Sequence, residues 1–188
     1  MKPKVKPAAR QNWAQAADGS GTSTEAAFQI AVRSLAARPY SVAELKQKLR
    51  LKRISPNAID ETVARLKKLG FLDDRKLAEQ YASSLAQNRA FGRFRVEREL
   101  RARRVDPRSV EPALKAAFEE IDERASLERV LDRKMGSLRL PLTRTRLASL
   151  LTSLKRRGFR TEDIIRTVRA RPELAPAAED AHLEALEE

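Results

Sequence analysis

Five apolar residues recur three times along this chain at one fixed spacing, and no other feature limits the possible folds as strongly. The first set is Leu45, Leu49, Ile54, Ile59 and Val63. The second is Val96, Leu100, Val105, Val110 and Leu114, and the third is Leu150, Leu154, Phe159, Ile164 and Val168. Within each set the steps are four, five, five and four, and the sets begin 51 and then 54 residues apart. A step of four stacks two side chains on one face of a helix. Each set therefore reads as a helix with two inward anchors, a connector carrying one, and a second helix with two more. A further helix precedes each pair, over Glu25–Arg38, Asp73–Arg89 and about Ile121–Gly136. Three helices of this length close a small core, and neighbouring sets share the remaining surface. Chance periodicity in Leu- and Ala-rich helices is the weaker account of five matched anchors in three places.

The punctuation agrees with an all-α chain. No sustained alternating pattern interrupts the three- and four-residue period. Breaks fall at Pro39, Gly70, Gly92, Pro107, Pro141 and Gly158. Ser41, Ser55, Asp73, Asp106, Thr143 and Thr161 stand where a helix start needs an oxygen to accept a free backbone N–H. Proline follows Ser55 and Asp106, at the first helical position, where its missing N–H costs nothing. Gly70 and Gly158 follow basic helix ends, as left-handed stops with cations at the negative pole of the dipole. With aromatics at only 5% of residues, Leu, Ala, Val and Ile must fill thin helical layers.

The expected organisation is a flexible basic arm over 1–24, with Trp13 as a weak anchor, and an acidic tail over 172–188. Between them lie repeats over 25–70, 71–120 and 121–171. No segment has the roughly 20 apolar residues of a membrane span and no signal-like stretch follows Met1, so a cytoplasmic protein without membrane contact is expected.

Charge follows the repeats. The chain carries a formal +13. Residues 38–68 hold nine basic and three acidic side chains, 89–108 hold eight and three, and 144–171 hold nine and two. Residues 109–135, in contrast, hold five and seven. With Val96 and Leu100 inward, Arg98 and Arg101 point outward and Arg95 to one side. Recurrence of such cations points to a segmented track for a polyanion, because each neutralised phosphate releases condensed counterions. In Arg89-Ala90-Phe91-Gly92-Arg93-Phe94-Arg95, Phe91 or Phe94 could stack on a base. Packing at a helix junction, with Gly92 supplying a tight backbone, is the stronger reading for Phe91.

Catalytic groups are missing. The chain has no cysteine, and its one histidine, His182, lies in the acidic tail without metal-ligand neighbours. Asp73-Asp74 precedes a helix and reads as capping and dipole stabilisation rather than an acid–base pair. Glu97 and Glu99 sit among arginines as surface ion-pair partners. The six glycines make no phosphate-cradling loop. No catalytic, cofactor or metal site is expected, and no enzyme.

The stretches AVRSLAARPYSVAELKQKL, VARLKKLGFLDDRKLAEQYASSLA, FGRFRVERELRARRVD and LLTSLKRRGF, in this order, strongly resemble the RecX family of bacterial recombination regulators. The resemblance spans about residues 26–170. Its most specific piece is Gly70-Phe71-Leu72-Asp73-Asp74 with Ala78 and Tyr81, then Phe91-Gly92 and the basic helix with Glu99-Leu100. Ala90 departs from a glycine frequent before the aromatic-Gly pair, and Leu140-Pro141-Leu142 replaces a more polar approach to the third repeat's middle helix. The resemblance implies three tandem three-helix repeats in an elongated, curved arrangement. It implies a modulator that lies on the filament of the RecA recombinase with DNA and lowers strand exchange, ATPase and coprotease activities, with no cofactor. The expected partners are RecA, its nucleoprotein filament and DNA phosphates, and the protein itself is expected to be a monomer. Charge and geometry nominate Arg93, Arg95, Arg98, Arg101, Lys155, Arg156 and Arg157 as the contacting residues. The alternative is an autonomous DNA-binding protein with helix-turn-helix-like units.

Overall fold

The structure, a computed structural model, describes residues 23–174. Trp13, His182 and almost all of the two expected terminal segments lie outside the described residues. The described residues form nine α-helices and no β-strand. They are α1 (Ser23–Ala37), α2 (Val42–Leu51), α3 (Pro56–Lys68), α4 (Asp74–Arg89), α5 (Arg93–Ala102), α6 (Pro107–Glu119), α7 (Glu123–Met135), α8 (Arg144–Arg156) and α9 (Thr161–Arg169). Fourteen of the fifteen repeating anchors are buried and Ile54 is half-buried. The period of the sequence is thus the period of the core. No helix among the described residues is long and apolar enough to cross a membrane.

Most helix starts use the expected oxygens. Ser41 Oγ accepts the Glu44 N–H at 3.1 Å, and the Glu44 carboxylate accepts the Ser41 N–H at 3.1 Å, a reciprocal capping box. Ser55 and Thr143 accept from Ala58 and Arg146. Asp73 accepts from Arg75 and Lys76 at 2.9 and 3.1 Å. Two expectations are corrected. Thr161 does not cap α9: the cap residue is Arg160, whose carbonyl accepts the Ile164 N–H and whose side chain makes no capping bond. Thr161 falls one residue too late, and Glu162 and Asp163 supply the favourable charge at that end instead. Asp74 stands in the first turn of its own helix, where its charge suits the dipole, but it makes no capping bond there: its carboxylate is taken up by other backbone, as described below.

Gly70 and Gly158 adopt the left-handed stop, with φ of 72° and 89°. At Gly70 the turn is closed by Gly70 N–H to Lys67 O and Phe71 N–H to Leu66 O, both 3.0 Å. Helices α2 and α5 end in the same turn with arginine in place of glycine, Arg53 at φ 57° and Arg104 at φ 52°. Each lies four residues past its repeat's second anchor, as Gly158 does past Leu154. Ala90 is also left-handed, at φ 48°. A left-handed turn at this position explains why glycine suits it.

The chain divides into two compact units. Among the described residues, one comprises 23–77 together with Arg103–Asp106; the other comprises Ala78–Ala102 and 107–174. In the first, Phe28, Leu45, Leu49, Ile59, Val63 and Leu66 from α1–α3 form one core. The start of α2 is tied to the 103–106 segment by polar bonds. Asp74 accepts the Val42 N–H at 2.8 Å and the Asp106 N–H at 2.9 Å. Ser41 Oγ donates to the Arg103 carbonyl at 2.7 Å, and Arg103 Nη2 reaches Glu44 at 3.0 Å and the Pro39 carbonyl at 2.7 Å. Burial pushes the Glu44 carboxyl upward, but hydrogen bonds from Arg103, the Ser41 N–H and Arg38 outweigh it and hold the group below its ordinary range. In the second unit, Leu127, Leu131, Leu147, Leu154, Phe159 and Val168 lead the core of α7–α9.

Candidate nucleic-acid interface

Helix α5 turns Val96 and Leu100 inward, and the register of its arginines follows from that choice. Arg98 is exposed and bonded to no other described residue. Arg101 is 72% exposed at its side chain and pairs with Glu97 at 2.5 Å. Arg95 is half-buried and pairs with Glu99 at 2.6 Å. Both glutamates are thus the ion-pair partners expected of them.

The start of α5 meets the end of α8. The Gly92 N–H donates to the Arg157 carbonyl at 2.9 Å, and the Phe94 N–H to the Gly158 carbonyl at 3.3 Å. Between them, the Arg93 N–H donates to Glu123 at 2.9 Å. The N–H groups that a helix start leaves without partners are therefore satisfied, and the carbonyl-rich end of one helix faces the N–H-rich end of another. The approach leaves no room for side chains. A Cβ on Gly92 would overlap the Gly158 carbonyl, and one on Gly158 would overlap the Arg95 backbone. Burial pushes the Glu123 carboxyl upward and nearby Asp163 adds to this. The Arg93 N–H and the charges of Arg160 and Arg93 oppose the rise without cancelling it.

This junction gathers three of the seven nominated residues. The half-buried Phe91 ring has the Arg95 guanidinium at 5.4 Å and that of Arg157 at 5.9 Å. Arg157 also donates to the Arg89 carbonyl at 2.9 Å. Arg93 pairs with Glu111 at 2.5 Å. Arg93, Arg95 and Arg157 thus have structural work to do, whereas Arg98, Arg101, Lys155 and Arg156 are exposed. The two phenylalanines separate in the same way: Phe91 packs at the junction, while Phe94 is 54% exposed. Sequence reasoning missed the left-handed Arg53 and Arg104; their common distance from the second anchor was the available signal.

Comparison with known proteins gives these basic helices a context. Residues 27–66 match the first three-helix domain of RecX and residues 73–114 match the second. Regulatory protein RecX of Trichlorobacter lovleyi is 31% identical over 140 residues, which cover 74% of this chain and 90% of that protein. The chain belongs to the RecX family. RecX of Halorhodospira halophila is 32% identical over 151 residues, 80% of this chain and 91% of that protein. The crystal structure of RecX from Lactobacillus salivarius superposes with a TM-score of 0.61 at 21% identity, covering 82% of this chain and 97% of that one. That likeness extends to the fold. The first RecX match covers most of α1 to α3, and the second runs from α4 into α6.

Proposed function

We propose that this protein is a RecX-type regulator that binds the RecA–DNA filament and lowers the recombinase, ATPase and coprotease activities of RecA. It acts by occupancy, as a cytoplasmic monomer, and performs no chemistry of its own. The observation that carries the reading is the match to regulatory protein RecX over 90% of a relative's length. The exposed cations of α5 and of the α8 end support it, since Arg98, Arg101, Lys155 and Arg156 present charge suited to acidic protein surface and phosphate.

The test is RecA ATPase and strand exchange with increasing amounts of this protein, on growing and on preformed filaments. Dose-dependent inhibition is expected, and no effect in either format with the cognate RecA would refute the reading. Substituting Arg98, Arg101 and Arg156 by Glu should preserve helicity and abolish inhibition. Arg95 is better left intact, because it is half-buried beside the Phe91 ring, and a reversal there would disturb the junction together with any filament contact. Undiminished inhibition by the triple variant would move the contact surface elsewhere.

A further inference from the structure

Phe94 is an aromatic residue that the fold leaves more than half exposed, at 54%. Its backbone is fixed by the bond to the Gly158 carbonyl, yet its side chain stays exposed while Val96 and Leu100 fill the core. Arg98 and Arg101 lie four and seven residues further along α5, so the three side chains leave the helix within about 60° of one another. Phe94 thus begins a stripe whose next two members are exposed guanidinium groups. The ion pair to Glu97 leaves Arg101 with further N–H donors, since a guanidinium carries five. The corresponding positions of the first and third repeats are Ala43 and Ala148, which offer no aromatic face.

We infer that the Phe94–Arg98–Arg101 face of α5 is a binding site for single-stranded nucleic acid. Phe94 stacks on an unpaired base, and the two arginines hold the phosphates that follow it. Charge complementarity selects a polyanion, and the aromatic face selects one whose bases are unstacked. A duplex offers the same phosphates but keeps its bases inside. An acidic protein surface would use position 94 only as apolar area, which leucine supplies as well as phenylalanine. The inference deepens the proposed function and rests on its direct contact with DNA.

The experiment measures anisotropy of a labelled twelve-residue oligo-dT, and of a duplex of equal length, titrated with the full chain over a range of salt. Phe94→Ala should weaken oligo-dT binding about five-fold or more, leave the salt slope unchanged and remove the preference over duplex. Arg98→Ala should lower the slope of log Kd against log salt by about 0.7. Phe94→Trp should bind as the parent does, and Phe94→Leu as weakly as Phe94→Ala. Matching thermal melts establish that the variants fold. Binding by Phe94→Ala within two-fold of the parent, or by Phe94→Leu equal to it, overturns the inference. A parent that inhibits RecA but does not bind oligo-dT overturns the inference and spares the proposed function. Phe94-dependent binding by a protein without effect on RecA does the opposite.

Discussion

At the scale of single residues, two glutamates are held in opposite ways and should report opposite pH dependence. Glu44 accepts from two arginines and a backbone N–H, and its carboxyl is held low although burial works against this. A depressed folded pKa contributes stability that is present above the unfolded value, about 4.3, and is lost as pH falls through the folded one. Glu44→Gln should therefore cost about 1–3 kcal/mol at neutral pH, and urea titrations should show the deficit vanishing in acid. Glu123 is held high, chiefly by burial. Its contribution is fully present below about pH 4.3 and is lost as pH rises through the raised value. Glu123→Gln, which can still accept the Arg93 N–H, should raise neutral-pH stability, with a gain that disappears below about pH 4. Equal stability of variant and parent at neutral pH would contradict the burial argument.

At the scale of helices and turns, most of the fold was legible. The anchor spacing places the core, and serine, threonine and aspartate at the helix starts mark where the chain changes direction. Local chemistry settles such features within a few residues. What the sequence left hidden depends on distant partners or on conformation without a characteristic residue. Asp74 looked like a capping residue because nothing near it in sequence reveals Val42 and Asp106 as its donors. Arg53 hides a left-handed turn because glycine is the usual sign of one. A non-glycine residue there costs roughly 1 kcal/mol, and the side chain of the exposed Arg53 makes no bond to another described residue that would offset it. Arg53→Gly should be neutral to stabilising by up to about 1 kcal/mol, and Arg53→Val clearly destabilising, as read by thermal melts. Among the candidate contact residues the pattern is the same. Outward register followed from helix geometry, whereas the bonds of Arg93 and Arg157 to Glu111 and the Arg89 carbonyl were not readable.

At the scale of the whole molecule, the two compact units are built from segments that are not continuous in sequence. A chain cut after Glu120 retains all of α5 and α6 but loses Glu123, Arg157 and Gly158, the acceptors at the start of α5. Leaving those N–H groups and the packed junction without partners should cost about 2–4 kcal/mol. Hydrogen exchange at Gly92, Arg93 and Phe94 should accelerate strongly in the shortened chain. Unchanged protection there would mean that another segment replaces the lost acceptors. The same dependence gives assembly a direction during synthesis. The arginine-bearing helix leaves the ribosome well before the turn that holds its first residues. Its lasting placement must therefore wait until nearly all of the helical body has emerged.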